Sequence, residues 1–423
     1  MFTTSFSTAL SALNATSTAI DVVGNNLANL NTPGFKTSAV EFRDLVTQSL
    51  GAGLGETQVG FGTGTPLTVR EFTQGSIQPS AGLLDAAIQG DGFFVVQDGA
   101  GNTSYTRAGN FQVDKSGNLL TNSGEMVQGW TAIDPTTGLV NTNGPVGNIT
   151  VPVGSVKAPV QSSAMTVDLN LNSAAAADAT SDFTTPVTVY DSLGASHVVT
   201  LDFQKTGTNA WSYQVYVPGE DITGGTAGTP FPVSGASGTL TFGQNGLLTD
   251  PANGSPIAFS IPGLTDGAQD MNLSWNPYTS AGVGRITQFG QNSAPSASSQ
   301  NGSPAAQLSH VGLADGGQIM AQYTDGTEVV VGQVALASIP NPDTLVAAGN
   351  NNFQISDRTA IPSVGLPGTG GRGTIAGSSI EASTVDIATE FTNLIVYQRG
   401  YEANSKVITT ADTLSQDTIN LIR

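Results

Sequence analysis

FTTSFSTALSALNATSTAIDVVGNNLANL, residues 2–30, decides the architecture. Phe6, Ala9, Leu13, Thr16, Ile20, Val23, Leu27 and Leu30 recur at alternating spacings of three and four. That is a heptad seam over about three and a half repeats. The stretch carries a single charge, Asp21. A surface helix normally carries many charges on its outer face. A back face of Ser, Thr, Asn and Ala therefore predicts a helix covered by neighbours on more than one side. Asn31-Thr32-Pro33-Gly34 ends it, because Pro33 disfavours the helical region for Thr32 and Pro-Gly suits the centre of a type II turn. Such a helix spans roughly 40 Å at ~1.5 Å per residue.

The C-terminus repeats the pattern. Ile387, Phe391, Leu394, Gln398 and Tyr401 keep the rhythm, and Val407, Ala411, Leu414, Thr418 and Leu421 resume it in a shifted phase. Glu381 and Asp386 lie near the start and Arg423 at the end, as the helix dipole prefers. Ser383 or Thr384 is the expected cap. The plain alternative is two amphipathic helices packed on a globular core. Two charge-poor helices flanking a β-rich middle fit a shared terminal coiled coil better. Subunits with different upper and lower surfaces make contacts that do not close, and these propagate into helical filaments.

Composition narrows the function classes. The 423 residues include 52 Gly and 21 Pro, with 11% charged and 7% aromatic. That mix favours short strands and turns. Cysteine is absent, which excludes disulfides, thiol catalysis and Cys-based metal sites. The net charge of −19, without basic clusters, argues against nucleic-acid binding and against anionic membrane surfaces. Between Lys205 and Arg358 the only basic residue is Arg285, so that stretch is expected to be a solvated, self-repelling surface. No basic residue precedes Lys36 and no unbroken apolar core follows Met1. The start therefore does not read as a signal peptide or a membrane span.

The middle reads as strands. Phe93-Phe94-Val95-Val96 lies between Gly-Asp turns, and Phe111 and Val113 alternate before Ser116-Gly117-Asn118. Val187–Tyr190, the turn Asp191-Ser192-Leu193-Gly194, and Val198–Phe203 form a predicted hairpin. Trp211, Tyr213, Val215 and Val217 alternate as in a half-buried strand. Gly238–Phe242 and Val329–Ala335 add strands. Ser173–Asp178, Gln291–Pro304 and Ser363–Ser379 read as flexible breaks, and the first two bracket an inserted domain at 179–290. The expected fold is α+β, mainly β, with discontinuous nested β domains and the N- and C-terminal helices paired as a coiled coil. Its expected domains are a helical one (1–30 with 380–423), a connecting segment (31–75 with 356–379), an inner β domain (76–160 with 300–355) and an outer inserted β domain (161–299). Residues 31–75, with Gly51, Gly53, Gly55, Gly60, Gly62 and Gly64, read as irregular.

Catalytic patterns are missing. His197 and His310 are the only histidines, and a lone strand histidine is more often structural than catalytic. No HExxH, G-x-S-x-G or P-loop spacing occurs. Gly368, Gly370, Gly371 and Gly373 lack the flanking strand and helix of a dinucleotide site, and Asp91, Asp98 and Asp114 sit where turn chemistry alone places Asp. No catalytic residue, cofactor or metal ligand is therefore assigned, and an enzyme is not expected.

Three motifs in order carry a resemblance. Gly24-Asn25-Asn26-Leu27-Ala28-Asn29-Leu30-Asn31-Thr32-Pro33-Gly34-Phe35-Lys36 resembles the N-terminal signature of flagellar rod and hook proteins. Arg107-Ala108-Gly109-Asn110-Phe111, with Asp114, Gly117, Leu119, Gly124 and Gly129, resembles their central signature. Gln398-Arg399-Gly400-Tyr401-Glu402-Ala403-Asn404-Ser405-Lys406 resembles their closing motif. The stretches Val189–Gly194 and Ile319–Leu336 are similar to the hook branch, whereas Asn341–Leu345 and Ser356-Asp357-Arg358 depart from it.

The resemblance implies a structural hook subunit. It would form a curved, flexible tube that acts as a universal joint between rod and filament. The terminal helices would lie innermost around the export channel. Implied partners are copies of itself, the distal rod, hook–filament junction and hook cap proteins, and the flagellar type III export apparatus. The implied place is the extracellular part of the bacterial flagellum, reached without a cleaved signal. The alternatives are a straight distal rod subunit and a secreted β-rich adhesin.

Overall fold

A computed structural model describes residues 2–45, 48–50, 57–134, 137, 139–178, 180 and 182–421. The chain is mainly β, with two long helices at its ends, α1 (Phe2–Ala28) and α2 (Ile387–Leu421), which pair with each other. It divides into two compact units, the second nested in the sequence of the first. The first comprises Met1–Val153, His310–Gln322 and Glu328–Arg423; the second comprises Gly154–Ser309 and Tyr323–Thr327.

In the first unit the strands Glu328–Val334, Met126–Trp130, Phe93–Gln97, Thr103–Thr106, Asn352–Gln354 and Val346–Gly349 lie side by side in that order. All four residues of Phe93-Phe94-Val95-Val96 are buried, so this strand is covered on both faces. That explains its unbroken apolar run. Phe72, Phe93 and Phe353 meet edge to face, with centroids 5.1–6.1 Å apart. This is the geometry that aromatic quadrupoles favour.

The second unit pairs two sheets. One is a meander of Phe183–Tyr190, Ser196–Gly207, Ala210–Pro218, Pro230–Phe242 and Leu248–Asp250. The other orders Ile257–Ile261, Met271–Trp275, Ala164–Asn172 and Ile286–Phe289, with Ala294–Gln300 also paired to Ala164–Asn172. Trp211, Tyr213, Val215 and Val217 all point into the shared core. There Trp275 meets Phe203 and Tyr213 edge to face.

Several sequence expectations change. Gln291–Pro304 holds the strand Ala294–Gln300, whose side chains are almost all exposed. Backbone pairing to Ala164–Asn172 makes it a strand, so no apolar alternation betrays it. Ser363–Ser379 contains the strands Ser363–Gly365 and Thr374–Gly377 around its Gly-rich turn. Residues 31–75 are not irregular throughout. Ser38–Glu41 pairs with Leu67–Arg70, and Gln48–Leu50 pairs with Thr57–Val59. Gly51, Gly53 and Gly55 lie outside the described residues. The cap of α2 is Asp386, whose Oδ1 accepts the amide of Thr389 at 2.7 Å. The oxygens of Ser383 and Thr384 accept the amides of Val385 and Thr37 instead. The backbone hydrogen bonds at Asp386 hold its carboxyl below the usual range.

A buried polar node where the chain ends meet the β body

The N-terminal motif begins the node. Asn26 is buried near the end of α1. Its amide nitrogen donates to the carbonyl of Ser38 at 2.8 Å and to Oε1 of Glu390 at 2.9 Å, and its Oδ1 accepts the amide of Ser38 at 3.1 Å. One side chain thus joins α1, the strand Ser38–Glu41 and α2. Glu390 is buried too, and burial pushes its carboxyl above the ordinary range against the pull of Asn26, helped by Glu71 and Asp386.

The turn after α1 is the expected one. The amide of Phe35 donates to Thr32 across Pro33-Gly34, and Gly34 has φ +69°. A Cβ on Gly34 would lie 2.6 Å from the carbonyl carbon of Arg107, so only glycine fits. The central motif is seated as closely: a Cβ on Gly109 would lie 1.7 Å from the carbonyl oxygen of Ala86. The carbonyl of Pro33 accepts the amide nitrogen of Asn351 at 3.0 Å.

Beyond the turn the node becomes charged. Lys36, Glu381 and Arg107 are all buried. Lys36 Nζ is 2.7 Å from Glu381 Oε1 and also donates to the carbonyl of Thr73. Glu381 Oε1 accepts the amide of Gly75 at 2.7 Å, and its Oε2 lies 3.5 Å from Arg107 Nη1. Arg107 Nη2 donates to Gly90 at 3.0 Å, and the guanidinium lies over the ring of Phe93. Burial lowers the pKa of both Lys36 and Arg107, and Glu381 opposes that shift. The amide of Gly34 donates to the carbonyl of Glu381, and that of Thr384 to the carbonyl of Phe35. These bonds lace the two ends together just before α2. The node joins segments, with one carboxylate shared between two cations.

The helix seams are composed differently from the expectation. On α1 the covered residues are Ala9, Ala15, Ala19, Val23 and Asn26, while Leu13, Ile20 and Leu27 are half-buried, as is Leu30 in the turn beyond it, and Phe6 is exposed. On α2 Glu390 is covered, and Leu394, Tyr397, Gly400, Asn404, Ile408 and Ala411 are half-buried. A Cβ on Gly400 would lie 3.6 Å from Thr16 Cγ2, so small residues let the helices approach. Ile387, Phe391, Ile395, Val396, Tyr401, Val407, Leu414 and Ile419 are left exposed, Val396 by 60%. The side chain of Leu421 lies outside the described residues.

The remaining motif residues are peripheral to the node. Asn29 Nδ2 donates to the carbonyl of exposed Asn25, and Asn31 and Gln398 are exposed. Arg399 pairs with Glu402 at 3.2 Å on the surface, an interaction that contributes little. Asn404 donates to Gly400 of its own helix. Sequence reasoning placed Lys36 and Arg107 in motifs and Glu381 near the helix start without joining them. The available signal was that these charges stand in otherwise charge-poor stretches.

Family models match along most of the chain. Residues 6–36 match the flagella basal body rod protein model, 87–168 the flagellar hook protein FlgE/F/G D1 domain, 159–303 the flagellar basal body protein FlaE D2 domain, and 376–421 the flagellar basal body rod FlgEFG protein C-terminal region. The flagellar hook protein FlgE of Escherichia coli (strain K12) is 30% identical over 429 residues, covering 98% of this chain and 99% of the relative. That of Treponema pallidum (strain Nichols) is 32% identical over 450 residues, covering 96% of each.

The chain belongs to the flagellar hook protein family. It is a structural subunit of the flagellar hook. The crystal structure of Helicobacter pylori flagellar hook protein FlgE2 shares the fold, with a TM-score of 0.52 at 14% identity over 72% of this chain and 100% of that one. In this hook subunit the signature residues Asn26, Gly34, Lys36 and Arg107 act at one place, the junction of both ends with the β body.

Proposed function

We propose that the subunit polymerises with copies of itself into a curved, flexible tube outside the cell, which passes torque from rod to filament and encloses the export channel. The role is mechanical and involves no catalysis. The observation that carries this reading is the row of apolar side chains along α2 that the subunit leaves uncovered. Burying each in a neighbouring copy contributes roughly 1.5–3 kcal/mol. Phe6 and Leu10 on α1 extend that set of assembly contacts, whereas Val23 is already covered within the subunit. The distal rod, junction and cap proteins meet the tube at its ends, and the type III apparatus exports the chain.

Bending asks each subunit to lengthen and shorten once per rotation. Surfaces rich in Gly, Ser, Thr and Asn, as in 179–290, slide without disrupting deep apolar knobs. Electron microscopy of the assembled protein tests the whole reading. Curved tubes are expected; straight rods would make it a distal rod subunit, and no polymer would remove the assembly role. Ile395→Asp is expected to abolish tubes while circular dichroism shows a folded monomer. Normal tubes from that variant would overturn the assignment of the α2 stripe.

A further inference from the structure

The turn Asp191-Ser192-Leu193-Gly194 and the strand histidine singled out in the sequence meet in the second unit. Asp191 is fully buried, and its Oδ1 accepts the amides of Leu193 and Ala195 at 2.8 and 3.0 Å. Its Oδ2 lies 3.0 Å from Nε2 of His197, in the strand Ser196–Gly207. The other ring nitrogen, Nδ1, lies 2.9 Å from Oδ2 of Asp221, which closes the short 3-10 turn Gly219–Asp221. Asp266 Oδ2, in the loop between Ile257–Ile261 and Met271–Trp275, is 3.7 Å from Nε2. That loop belongs to the opposite sheet from His197. The amide of Thr265 donates to the carbonyl of Asp221 at 3.0 Å and that of Gln269 to Ser192 Oγ at 3.0 Å, so backbone amides of the same loop also reach both turns.

A neutral imidazole has one N–H, and only the imidazolium donates from both nitrogens. With a carboxylate at each nitrogen, the neutral ring would set a lone pair against an acceptor. Among the described residues no Lys or Arg lies within ion-pair distance of Asp191, Asp221 or Asp266, so the ring is their counter-ion. The nearby Glu220 and Asp270 are engaged elsewhere, on the amides of Gly228 and Gly263.

We propose that His197 is a pH-operated staple at one end of this β-sandwich. As imidazolium it holds turn 191–194, turn 219–221 and loop 264–267 together across the two sheets, and loss of its proton in alkaline medium releases that end. Burial lowers the basicity of the ring, but Asp221 and Asp191 outweigh it and the net shift is upward. A folded value above the ordinary ~6.5 means that the stabilisation is complete below that pH and is lost as pH rises through the folded value.

The test uses the full chain. The ring proton resonances of His197, assigned by their absence from His197→Gln, are titrated. Amide exchange of the three segments is compared at about pH 6 and about pH 9, after correction for intrinsic rates. The expected results are a midpoint for His197 above the ordinary ~6.5, protection that falls several-fold between the two pH values, and no such fall in His197→Gln. Asp266→Asn should keep the fold and move the midpoint down toward the ordinary ~6.5. A midpoint at or below the ordinary ~6.5, or wild-type protection independent of pH, overturns the staple. So does protection lost to a chelator at constant pH. That result would make Asp191, His197 and Asp266, whose ligand atoms lie within 4.8 Å of one another, a cation site. The wild-type titration decides even if a variant fails to fold.

Discussion

Both units have apolar cores, but the long-range closure of each rests on a different kind of contact. The second closes over Trp211, Trp275, Phe203 and their aliphatic neighbours, all apolar and drawn from strands of both sheets. The first joins its ends to its β body through Lys36, Glu381 and Arg107, all charged, with Asn26 and Glu390 nearby. An apolar core responds to substitution by degrees, because volume and area change by degrees. A buried charge cluster does not, because removing one partner strands the others. Each partner in the node comes from a different part of the chain. The node is therefore complete only when the N-terminal motif, the central motif and the segment before α2 have all docked. With the helices as the proposed assembly surface, that condition would tie competence to assemble to completion of the fold.

The sharpest way to break this contrast is Glu381→Ala. It leaves Lys36 and Arg107 buried without a carboxylate, and the first unit should lose about 3–5 kcal/mol. Trp130 reports on that unit, and Trp211 and Trp275 on the other. Chemical unfolding followed by fluorescence of single-tryptophan variants should show the loss only at Trp130. An equal loss at Trp211 would mean that the units unfold as one. Within the second unit Ile261→Val removes one methylene from a covered site. A loss of about 0.5–1.5 kcal/mol is expected there, with the transition kept cooperative. A collapse comparable to Glu381→Ala would erase the distinction between graded and all-or-none interiors.

The same contrast explains what was legible beforehand. Alternation announced the strand carrying Trp211, Tyr213, Val215 and Val217, because its period is local and one face is buried. Heptad spacing announced both helices for the same reason. It could not say which residues face the partner helix and which the subunit leaves exposed, since both sets share one periodicity. Thus Ala15 and Ala19 are covered within the subunit while Phe391 is not. The node was illegible as a unit because Lys36 and Glu381 are 345 positions apart and no local pattern links them. The strand Ala294–Gln300 was missed because its polar side chains carry no burial signal.

The smallest effect separates the two buried glutamates. Glu381 faces two cations, but Glu390 faces Asn26, with Glu71 and Asp386 nearby. Glu390→Gln keeps an oxygen for the Asn26 amide and removes the charge. Burial raises the folded pKa of Glu390, so the wild type carries a penalty once ionised and none when protonated. The dipole of α2 offsets part of that penalty, by about 0.3–1 kcal/mol at comparable sites. The variant should thus be more stable at neutral pH by about 1 kcal/mol or less. The gap should close as pH falls toward the ordinary carboxylate value of ~4.3, where the wild type is neutral as well. Denaturation midpoints of both proteins across that range decide it. If the glutamine variant is the less stable at neutral pH, Glu390 contributes as a charge, and the first unit has two charged nodes instead of one.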